Sequence, residues 1–317
     1  MGFVVGDAFG VPLEFMQRET LRKHPVADMT GYGSHCQPIG TWSDDTSMMV
    51  CTIDCLNRGQ NLEELMKKFL CWYEDGAYSP HGECFDIGNT TRFALEKFSE
   101  GYPETLCGGK DIFDNGNGSL MRILPFSLCQ YIKWGKNVDE ILEVIHEASA
   151  ITHAHPRSQM ACGIFTLITL QILVQKSIEK AVDEALALAM NYYSNHPKYV
   201  NELASFHRLN NIQAFKNLQE HEISSSGYVV DTFEAALWSL LSTKNFRECV
   251  IKATNLGDDA DTVGAMAGAL AGLVYGYEAI PEDWRSYIIK REWLESLFNT
   301  FFETYFQEGQ VWKPNCF

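Results

Sequence analysis

The 317-residue sequence is poor in positive charge and in the patterns that would link its cysteines. It has 25 Lys and Arg residues against 41 Asp and Glu, a formal net charge of −16. This balance argues against a surface that follows nucleic-acid phosphates or anionic lipids. Its ten cysteines are scattered, with no C-x-x-C pair and no recognisable secretory leader. We therefore expect free thiols in a cytoplasmic protein that binds no nucleic acid.

Long apolar runs and linkers are also scarce. The longest uncharged run, 160–175, contains Thr and Gln, and it is shorter than the roughly 20 apolar residues that a membrane span needs. We expect a helix buried inside a bundle and no membrane association. No stretch rich in Pro, Gly or Ser divides the chain, and no internal repeat is found. One domain over 1–317, acting as a monomer, is the simplest interpretation.

Strand signals are scarce, whereas helical periodicity is found along most of the chain. Few β-branched runs have a period of two, and apolar residues recur every three to four positions. The sequence therefore predicts an all-α fold, a compact multi-helix bundle. The predicted helices span 44–57, 62–74, 89–98, 120–133, 138–151, 156–174, 177–193, 231–241, 262–275 and 293–306. Three stretches interrupt the pattern and are predicted to carry function: 76–88, 107–119 and 194–213.

Two acidic clusters precede apolar helices, one near each end of the chain. They read 43-SDDT-46 and 257-GDDADT-262. Residues two apart on a regular helix point about 200° apart, so Asp259 and Asp261 must lie in the turn that enters the helix. The partial positive charge of a helix N-terminus offsets part of the repulsion between such carboxylates.

The remaining repulsion among five aspartates indicates one or two hard divalent cations, of which Mg²⁺ or Mn²⁺ would suit an all-oxygen site. Helix capping alone is the alternative for either cluster, because Asp and Ser are preferred caps. The presence of both clusters, each followed by Thr and a buried helix, favours metal. Glycines every fourth residue after Thr262 predict close packing of that helix in the bundle centre.

Other stretches carry weaker signals. Glu14 has apolar neighbours, which predicts either a proton-transferring carboxylate with a raised pKa or a residue that caps the turn. The loop 115-NGNGS-119 suits phosphate binding by backbone N–H groups, although an ordinary turn is the default interpretation. The histidines of 152-THAHPR-157 lack the further ligands that zinc needs. Asp86 and Asp231 are interpreted as helix caps.

Together these motifs resemble the ADP-ribosylglycohydrolase family, which includes ADP-ribosylarginine hydrolases and the dinitrogenase-reductase-activating glycohydrolase. The resemblance rests on GDAFGVPLEF, WSDDTSM, FDIGNTT, NGSLMR, THAHP, GYVVDT and GDDADTVGAMAGA, in the family's order. It implies an all-α bundle with a binuclear centre of two Mg²⁺ (or Mn²⁺). The implied metal ligands are Ser43, Asp44, Asp45, Asp259, Asp261 and Thr262. Glu14 and Asp86 are the implied catalytic carboxylates.

The resemblance also implies a substrate, an ADP-ribosylated protein or a small ADP-ribose conjugate. The implied binding residues are Gly116, Asn117, Gly118, Ser119 and Met121 around the diphosphate, His153 nearby, and Tyr228 against the nucleoside. Arginine-linked ADP-ribose is the leading substrate, with serine-linked, O-acetyl and nucleobase-linked conjugates left open.

Two departures from the family pattern stand out. The chain begins only a few residues before Gly6, so we expect its first helix to be frayed or its start to be misassigned. Ser43 stands where Thr is frequent, and its hydroxyl keeps the ligand atom.

Three rival interpretations compete with this resemblance. Asp259-Ala-Asp261-Thr-Val263 matches a motif of haloacid-dehalogenase-type phosphatases, but that motif follows a β-strand, and here it opens a helix. The aspartate pattern of terpene cyclases fails at Met48. A non-catalytic ADP-ribose binder or structural protein is the rival of another class, because this fold has been recruited as a lens crystallin, and the intact acidic clusters argue against it.

Overall fold

Helices form the regular secondary structure of this protein. The computed structural model describes residues 1–59, 61–135, 137–175 and 177–306. Across those ranges no strand is assigned, and three isolated bridges pair Tyr32 with Gln37, Gly109 with His153, and Gly116 with Tyr228. The all-α prediction is confirmed. The phosphatase reading is excluded, because no strand precedes Asp259 in the described chain. Residues 307–317 of the predicted single domain lie outside the described residues.

Sixteen α-helices are assigned in the described ranges. They are α1 (Gly2–Gly10), α2 (Arg18–Lys23), α3 (Asp44–Asn57), α4 (Leu62–Asp75), α5 (Asn89–Ser99), α6 (Glu104–Cys107), α7 (Leu124–Cys129), α8 (Val138–Ala150), α9 (Pro156–Val174), α10 (Ile178–Ser194), α11 (Ile212–Lys216), α12 (Val229–Leu241), α13 (Phe246–Thr254), α14 (Ala260–Tyr275), α15 (Glu282–Tyr287) and α16 (Arg291–Tyr305). Shorter 3₁₀ segments connect them at Val11–Leu13, Gly33–His35, Ile112–Asp114, Leu120–Arg122, Gln130–Lys133, Val200–Asn210, Glu220–Glu222 and Tyr277–Ala279.

Most predicted helices agree with these bounds, and α3 and α9 match them at both ends. The predicted helix 120–133 is wrong, because it divides into a 3₁₀ segment, α7 and a second 3₁₀ segment. Pro125 lies in the first turn of α7 and cannot donate the backbone hydrogen bond that a continuous helix would need. The stretch 194–213, predicted to interrupt the helical pattern, holds a 3₁₀ run with a kink at Phe206.

Helix α1 is absent from the helices that periodicity predicts, and all nine of its residues are buried. The expectation of a frayed first helix is therefore wrong. It lies antiparallel along α14, with glycines of each helix facing the other. A Cβ added to Gly6 would lie 2.0 Å from the carbonyl oxygen of Gly264, and one added to Gly264 would lie 2.5 Å from that of Gly6. The backbones of α1 and α14 lie so close here that only the hydrogen atom of glycine fits between them. The predicted close packing of the glycine face is confirmed.

The antiparallel contact fixes where the functional groups lie. The end of α1 meets the beginning of α14, since Gly10 abuts Ala260 and Asp261. Helix α3 packs against both. Two helix N-termini and the segment after α1 therefore converge at one place in the fold, and that place holds both acidic clusters.

Helix α9 lies in the core, packed against α7, α8, α10 and α12. In the described chain it is the one helix that is long and apolar enough to cross a membrane, with a mean hydropathy of 1.3, but 83% of that stretch is buried inside the protein. The prediction of a buried bundle helix over the run 160–175 is confirmed.

Candidate metal centre and substrate site

Carboxylates from α1, α3 and α14 meet in the interior. One oxygen each from Asp7, Asp45 and Asp261 lies within 4.8 Å of the others, and all three residues are buried. Asp7 and Asp45 are 38 positions apart, and Asp261 lies more than 200 positions beyond both, so tertiary packing brings the three together. The hydroxyl of Thr262 donates to Asp45 Oδ2 at 3.2 Å and links the two predicted acidic clusters directly.

Asp7 is anchored by the beginning of α3. Its carboxylate accepts the backbone N–H groups of Ser43 and Thr46, at 3.0 Å each, and the Thr46 hydroxyl at 2.5 Å. Asp7 therefore caps α3 from a neighbouring helix. Burial nevertheless raises the pKa of Asp7 to about 6, against the lowering effect of these hydrogen bonds.

The first predicted cluster begins α3 as expected from its sequence. Ser43 is the N-cap, and its hydroxyl oxygen accepts the N–H of Asp45 at 3.3 Å while donating to Asp45 Oδ2 at 3.0 Å. Asp44 is not among the carboxylates whose oxygens lie within 4.8 Å of one another at this centre. Burial raises the pKa of Asp44 well above its usual range, and the charges of Asp86 and Glu14 raise it further, so Asp44 faces the same acidic space.

A second trio shares Asp261 with the first. Oxygens of Glu14, Asp259 and Asp261 lie within 4.8 Å of one another. The entry turn predicted for α14 is present: Gly257 and Asp258 have left-handed φ values of 71° and 63°, and Asp259 is the N-cap. Asp259 makes no side-chain capping bond. Its Oδ2 accepts the side-chain amide of Asn117 at 2.8 Å. Capping alone therefore does not account for this cluster.

The donor set fits a hard divalent cation. All ligand atoms of the two trios are carboxylate oxygens, which Mg²⁺ and Mn²⁺ prefer. Asp45 Oδ1 and Asp259 Oδ1 are buried and have no hydrogen-bond partner among the described residues. A buried anionic oxygen without a partner is costly. Asp261 belongs to both trios, so a cation could bind on either side of its carboxylate.

The electrostatics of the cluster show the same need for positive charge. Burial raises the pKa values of Asp45 and Asp261 well above their usual range, and the neighbouring carboxylates raise them further. Burial also raises the pKa of Glu14 to about 7, with contributions from Asp86 and Asp259. These residues repel one another when charged, and a bound dication would reverse that repulsion.

A third group lies beside the second. Glu14, His35 and Asp86 place one ligand-type atom each within 4.8 Å, and His35 Nε2 is hydrogen-bonded to Glu14 Oε2. That hydrogen bond raises the pKa of His35. Asp86 does not cap α5, whose N-cap is Gly88, so its interpretation as a cap is wrong. The two predicted catalytic carboxylates are neighbours.

The glycine loop lies against the acidic cluster. The N–H of Asn117 donates to Gly227 O at 3.0 Å, and its side-chain amide also donates to Thr232 Oγ1 at 2.9 Å. Gly116 is bridged to Tyr228. Asn117 therefore links the loop that is predicted to hold the diphosphate to Asp259 and to the segment that begins α12.

Two predicted substrate-binding side chains are enclosed in the core. Ser119 is fully buried and accepts the Ser149 hydroxyl at 2.9 Å, and Met121 is 2% exposed. In this loop Gly116 is partly exposed, and the backbone N–H groups of Asn117 and Met121 donate to Gly227 O and Asn117 O.

His153 and Tyr228 support the loop from two sides. His153 is buried, with its ring against Gly118, where an added Cβ would lie 2.8 Å from the ring carbon Cε1. Burial lowers the pKa of His153 to about 3, so the ring is neutral. Tyr228 is partly exposed, and its hydroxyl accepts Arg157 Nη1 at 3.0 Å.

The sequence interpretation missed Asp7, His35 and Arg157. Asp7 lies within the GDAFGVPLEF motif, and a charged residue among the apolar residues of 2–10 is a usable signal for a buried carboxylate. No local pattern marks His35, which lies in an irregular loop. Arg157 is fixed by Glu202 Oε2 at 2.7 Å, a contact between segments that are distant in sequence.

The fold and site define an all-α protein whose helix ends gather buried carboxylates into an oxygen-lined centre suited to divalent cations. A family model described as ADP-ribosylglycohydrolase matches residues 1–311. The chain belongs to the ADP-ribosylglycohydrolase family. The resemblance drawn from the motifs is confirmed, and so is the prediction of an ADP-ribosyl hydrolase.

Two relatives and one solved structure agree with this assignment. The chain is 35% identical to "ADP-ribosylarginine hydrolase Tri1" of Serratia proteamaculans, over 95% of this chain and 77% of that protein. It is 30% identical to "ADP-ribosyl-[dinitrogen reductase] glycohydrolase" of Rhodospirillum rubrum, over 90% and 87%. The solved structure titled "ADP-ribosylglycohydrolase-related protein complex" matches with a TM-score of 0.74 and 31% identity, covering 95% of this chain and 94% of its own.

Proposed function

We propose that this protein hydrolyses the N-glycosidic bond between C1″ of ADP-ribose and the guanidine of an ADP-ribosylated arginine, using two Mg²⁺ (or Mn²⁺). The convergence of Asp7, Asp45, Asp259 and Asp261 on one buried space, with two oxygens lacking hydrogen-bond partners, carries the proposal. The names of the relatives above support arginine as the linked residue. Serine-linked, O-acetyl and nucleobase-linked conjugates are the alternatives.

The residues divide into those that hold cations and those that move protons. Asp45, Asp259 and Asp261 would hold the metals, with Ser43, Asp44 and Thr262 contributing oxygens from the same two helix starts. When bound, the dications supply positive charge that orients the ribose and makes a nearby water more acidic. Asp7 faces the same space and secures the first turn of α3.

Glu14 and Asp86 are the proposed proton-transferring groups. A pKa raised to about 7 suits Glu14 to accept or donate a proton near neutral pH. The C1″–N bond breaks through an oxocarbenium-like state, and water forms the new C1″–O bond. One proton of that water moves to the departing guanidine nitrogen, which leaves ADP-ribose and arginine as products.

The substrate would extend from this centre over the glycine loop. Backbone groups of 116–121 are proposed to hold the diphosphate, above the neutral ring of His153. Tyr228, fixed by Arg157, is proposed to contact the nucleoside. A ligand placed in this way spans from the loop to Glu14 and Asp86.

The cellular compartment and the single-domain organisation of the protein form part of the same proposal. The nine cysteines of the described chain are free thiols, which supports a reducing compartment such as the cytoplasm. The buried apolar side chains form a large cluster that joins α1 to α16, which supports one domain.

The test incubates the protein and Mg²⁺ with ADP-ribosylated arginine and measures released ADP-ribose. Asp261→Asn is expected to lose at least about 100-fold in turnover, since metal-based charge stabilisation is worth several kcal/mol, while still binding ADP-ribose. Asp258→Asn is the matched control, because the Asp258 side chain is exposed in the same turn and Asn tolerates left-handed φ. Full activity of Asp261→Asn would refute the metal role. Release from serine-linked or O-acetyl conjugates alone would replace arginine as the substrate.

A further inference from the structure

Three aromatic rings form a row beside the two proposed proton-transferring carboxylates. The ring of His35 lies 5.7 Å from that of Phe15 and 5.4 Å from that of Phe85, measured between centroids. Phe15 directly follows Glu14 in the chain, and Phe85 directly precedes Asp86. His35, the middle ring, also lies within 4.8 Å of ligand-type atoms of Glu14 and Asp86, so the row lies beside the two proposed proton-transferring carboxylates.

Phe15 is not used as a core residue. Its side chain is 67% exposed, although burying a Phe side chain stabilises a fold by about 1.5–3 kcal/mol. Its backbone has a left-handed φ of 61°, a conformation that is unfavourable for a bulky residue. A large ring held outward by strained backbone, next to Glu14, indicates a function rather than packing.

The backbone of Phe15 is fixed to the turn that carries Asp259. The N–H of Phe15 donates to Asp258 O at 2.6 Å, and the N–H of Asp258 donates to Met16 O at 3.0 Å. This pair of hydrogen bonds holds the ring in one place relative to the metal centre. His35 is held in turn by its hydrogen bond to Glu14.

The charge around the row favours a planar cation. Ligand-type atoms of Glu14, Asp86 and His35 lie within 4.8 Å of one another, and among the described residues no lysine or arginine forms an ion pair with either carboxylate. A guanidinium is planar, weakly hydrated and able to lie on an aromatic face while its N–H groups face carboxylates. A hydroxyl or an acetyl leaving group would gain neither contact.

We propose that Phe15, with His35 and Phe85, forms the leaving-group subsite and makes the enzyme selective for guanidinium-linked ADP-ribose. This inference rests on the proposed function, because it assigns the part of that site which receives the arginine. Phe15 supplies the open ring face, Phe85 closes the far end of the row, and His35 positions the two relative to Glu14.

The experiment compares Phe15→Leu and Phe15→Tyr with the wild-type enzyme. Leu and Phe have similar difficulty with left-handed backbone, so the first change removes the π face alone, and Tyr restores it. With ADP-ribosylarginine and Mg²⁺, Phe15→Leu is expected to lower kcat/KM about 5- to 30-fold, the usual range for a partly desolvated cation–π contact. Phe15→Tyr is expected to stay within about twofold. The inhibition constant of ADP-ribose, which has no leaving group, is expected to be unchanged in both.

Phe93→Leu is the matched control. Phe93 is 52% exposed and lines a separate surface pocket with Glu96 and Lys97, so its replacement is expected to change kcat/KM less than twofold. Inhibition of the wild-type enzyme by arginine methyl ester and by its neutral isostere, citrulline methyl ester, gives a second measurement that needs no variant. Arginine methyl ester is expected to inhibit at least about fivefold more strongly.

The outcomes separate this inference from the proposed function. A wild-type enzyme that releases no ADP-ribose from arginine overturns both. A wild-type enzyme that does so, with Phe15→Leu unaffected or with the ADP-ribose inhibition constant rising equally, overturns the subsite alone. Equal inhibition by the arginine and citrulline esters also overturns it, whether or not the Leu variant folds.

Discussion

At the scale of single residues, Asp7 performs two tasks that oppose each other. It accepts three hydrogen bonds from the beginning of α3, which requires an acceptor oxygen but not a full charge. It also adds a negative charge beside Asp45 and Asp261, which is favourable only when a cation is present. Neutralising Asp7 should therefore affect the metal-free and the metal-bound protein differently.

Asp7→Asn is expected to change the free energy of unfolding in EDTA by less than about 1 kcal/mol. An amide oxygen in the Oδ2 position still accepts from Thr46 and Ser43, and the relief of repulsion offsets the loss of the Oδ1 acceptor. In Mg²⁺ the variant should lose most of the stabilisation that the metal provides. For one site this is about 2.7 kcal/mol when the Mg²⁺ concentration is 100 times Kd. Thermal melts with and without Mg²⁺ measure both. Asp54→Asn is the control, since Asp54 is bound to Lys68 at 2.6 Å and Tyr78 at 2.7 Å and should destabilise under both conditions. Equal Mg²⁺ stabilisation of Asp7→Asn and wild type would contradict this account.

A buried histidine away from the site gives a pH prediction. His146 is hydrogen-bonded to Tyr193 and Tyr199, at 2.9 Å each, and burial lowers its pKa to about 3. The unfolded chain binds a proton near pH 6.5 and the folded chain does not. The stabilisation that comes from keeping His146 neutral is therefore fully present above pH 6.5. It is lost as the pH falls towards 3, by up to about 1.4 kcal/mol per pH unit.

The variant His146→Gln isolates this contribution. At pH 7 it is expected to be about 1–3 kcal/mol less stable than wild type, because it loses two hydrogen bonds. The difference should shrink as the pH falls from 6.5 to 5, since only the wild type loses the histidine contribution. Urea unfolding at several pH values measures it, and a difference that stays constant would show that the ring is not neutral in the fold.

Residue chemistry explains which site residues were predictable. Asp45, Asp259 and Asp261 stand in repeated acidic clusters before apolar helices, so their proximity could be predicted, and Asp45 and Asp259 each share a carboxylate trio with Asp261. Ser119 lies in a motif, but its burial beside Ser149 depends on how α8 packs. His35 meets Glu14 only through the loop that follows α2, and no local pattern encodes that contact.

At the scale of helices, the α1–α14 contact determines where the carboxylates lie. Gly→Ala inside a helix ordinarily stabilises it by about 1 kcal/mol. Gly264→Ala should instead destabilise the protein by about 1–3 kcal/mol, because the added Cβ would lie 2.5 Å from Gly6 O and the two backbones must separate. Chemical unfolding measures the change.

The matched control lies two turns along the same helix. A Cβ at Gly272 would lie 3.5 Å from Gly2 Cα, an ordinary contact, so Gly272→Ala should be neutral or stabilising by up to about 1 kcal/mol. If Gly264→Ala and Gly272→Ala had the same effect, close backbone approach would not hold the metal centre in place.

Helix periodicity predicted amphipathic elements and failed where a helix has no polar face. Helix α1 is apolar almost all round and fully buried, so it shows no alternation to detect. In 120–133 the apolar spacing is helical, but Pro125 sets a new helix start, and the chain turns there. Both differences follow from tertiary packing and from backbone chemistry that spacing does not record.

At the scale of the whole molecule, the negative charge has two parts. Most of the formal charge of −16 belongs to exposed residues that water solvates. A smaller part is buried where α1, α3 and α14 meet, and it raises the pKa values of Asp44, Asp45 and Asp261. Folding brings these groups together although they repel, and a bound cation would offset that repulsion.

The cations that this buried negative charge is proposed to bind can be located directly. Anomalous diffraction from crystals grown with Mn²⁺, recorded at the manganese edge, would show each bound cation. We expect peaks within carboxylate-binding distance of Asp45 and Asp261, with Asp259 beside them. Crystals whose Asp45 and Asp261 side chains lie apart, with no anomalous peak joining them, would contradict the shared metal centre.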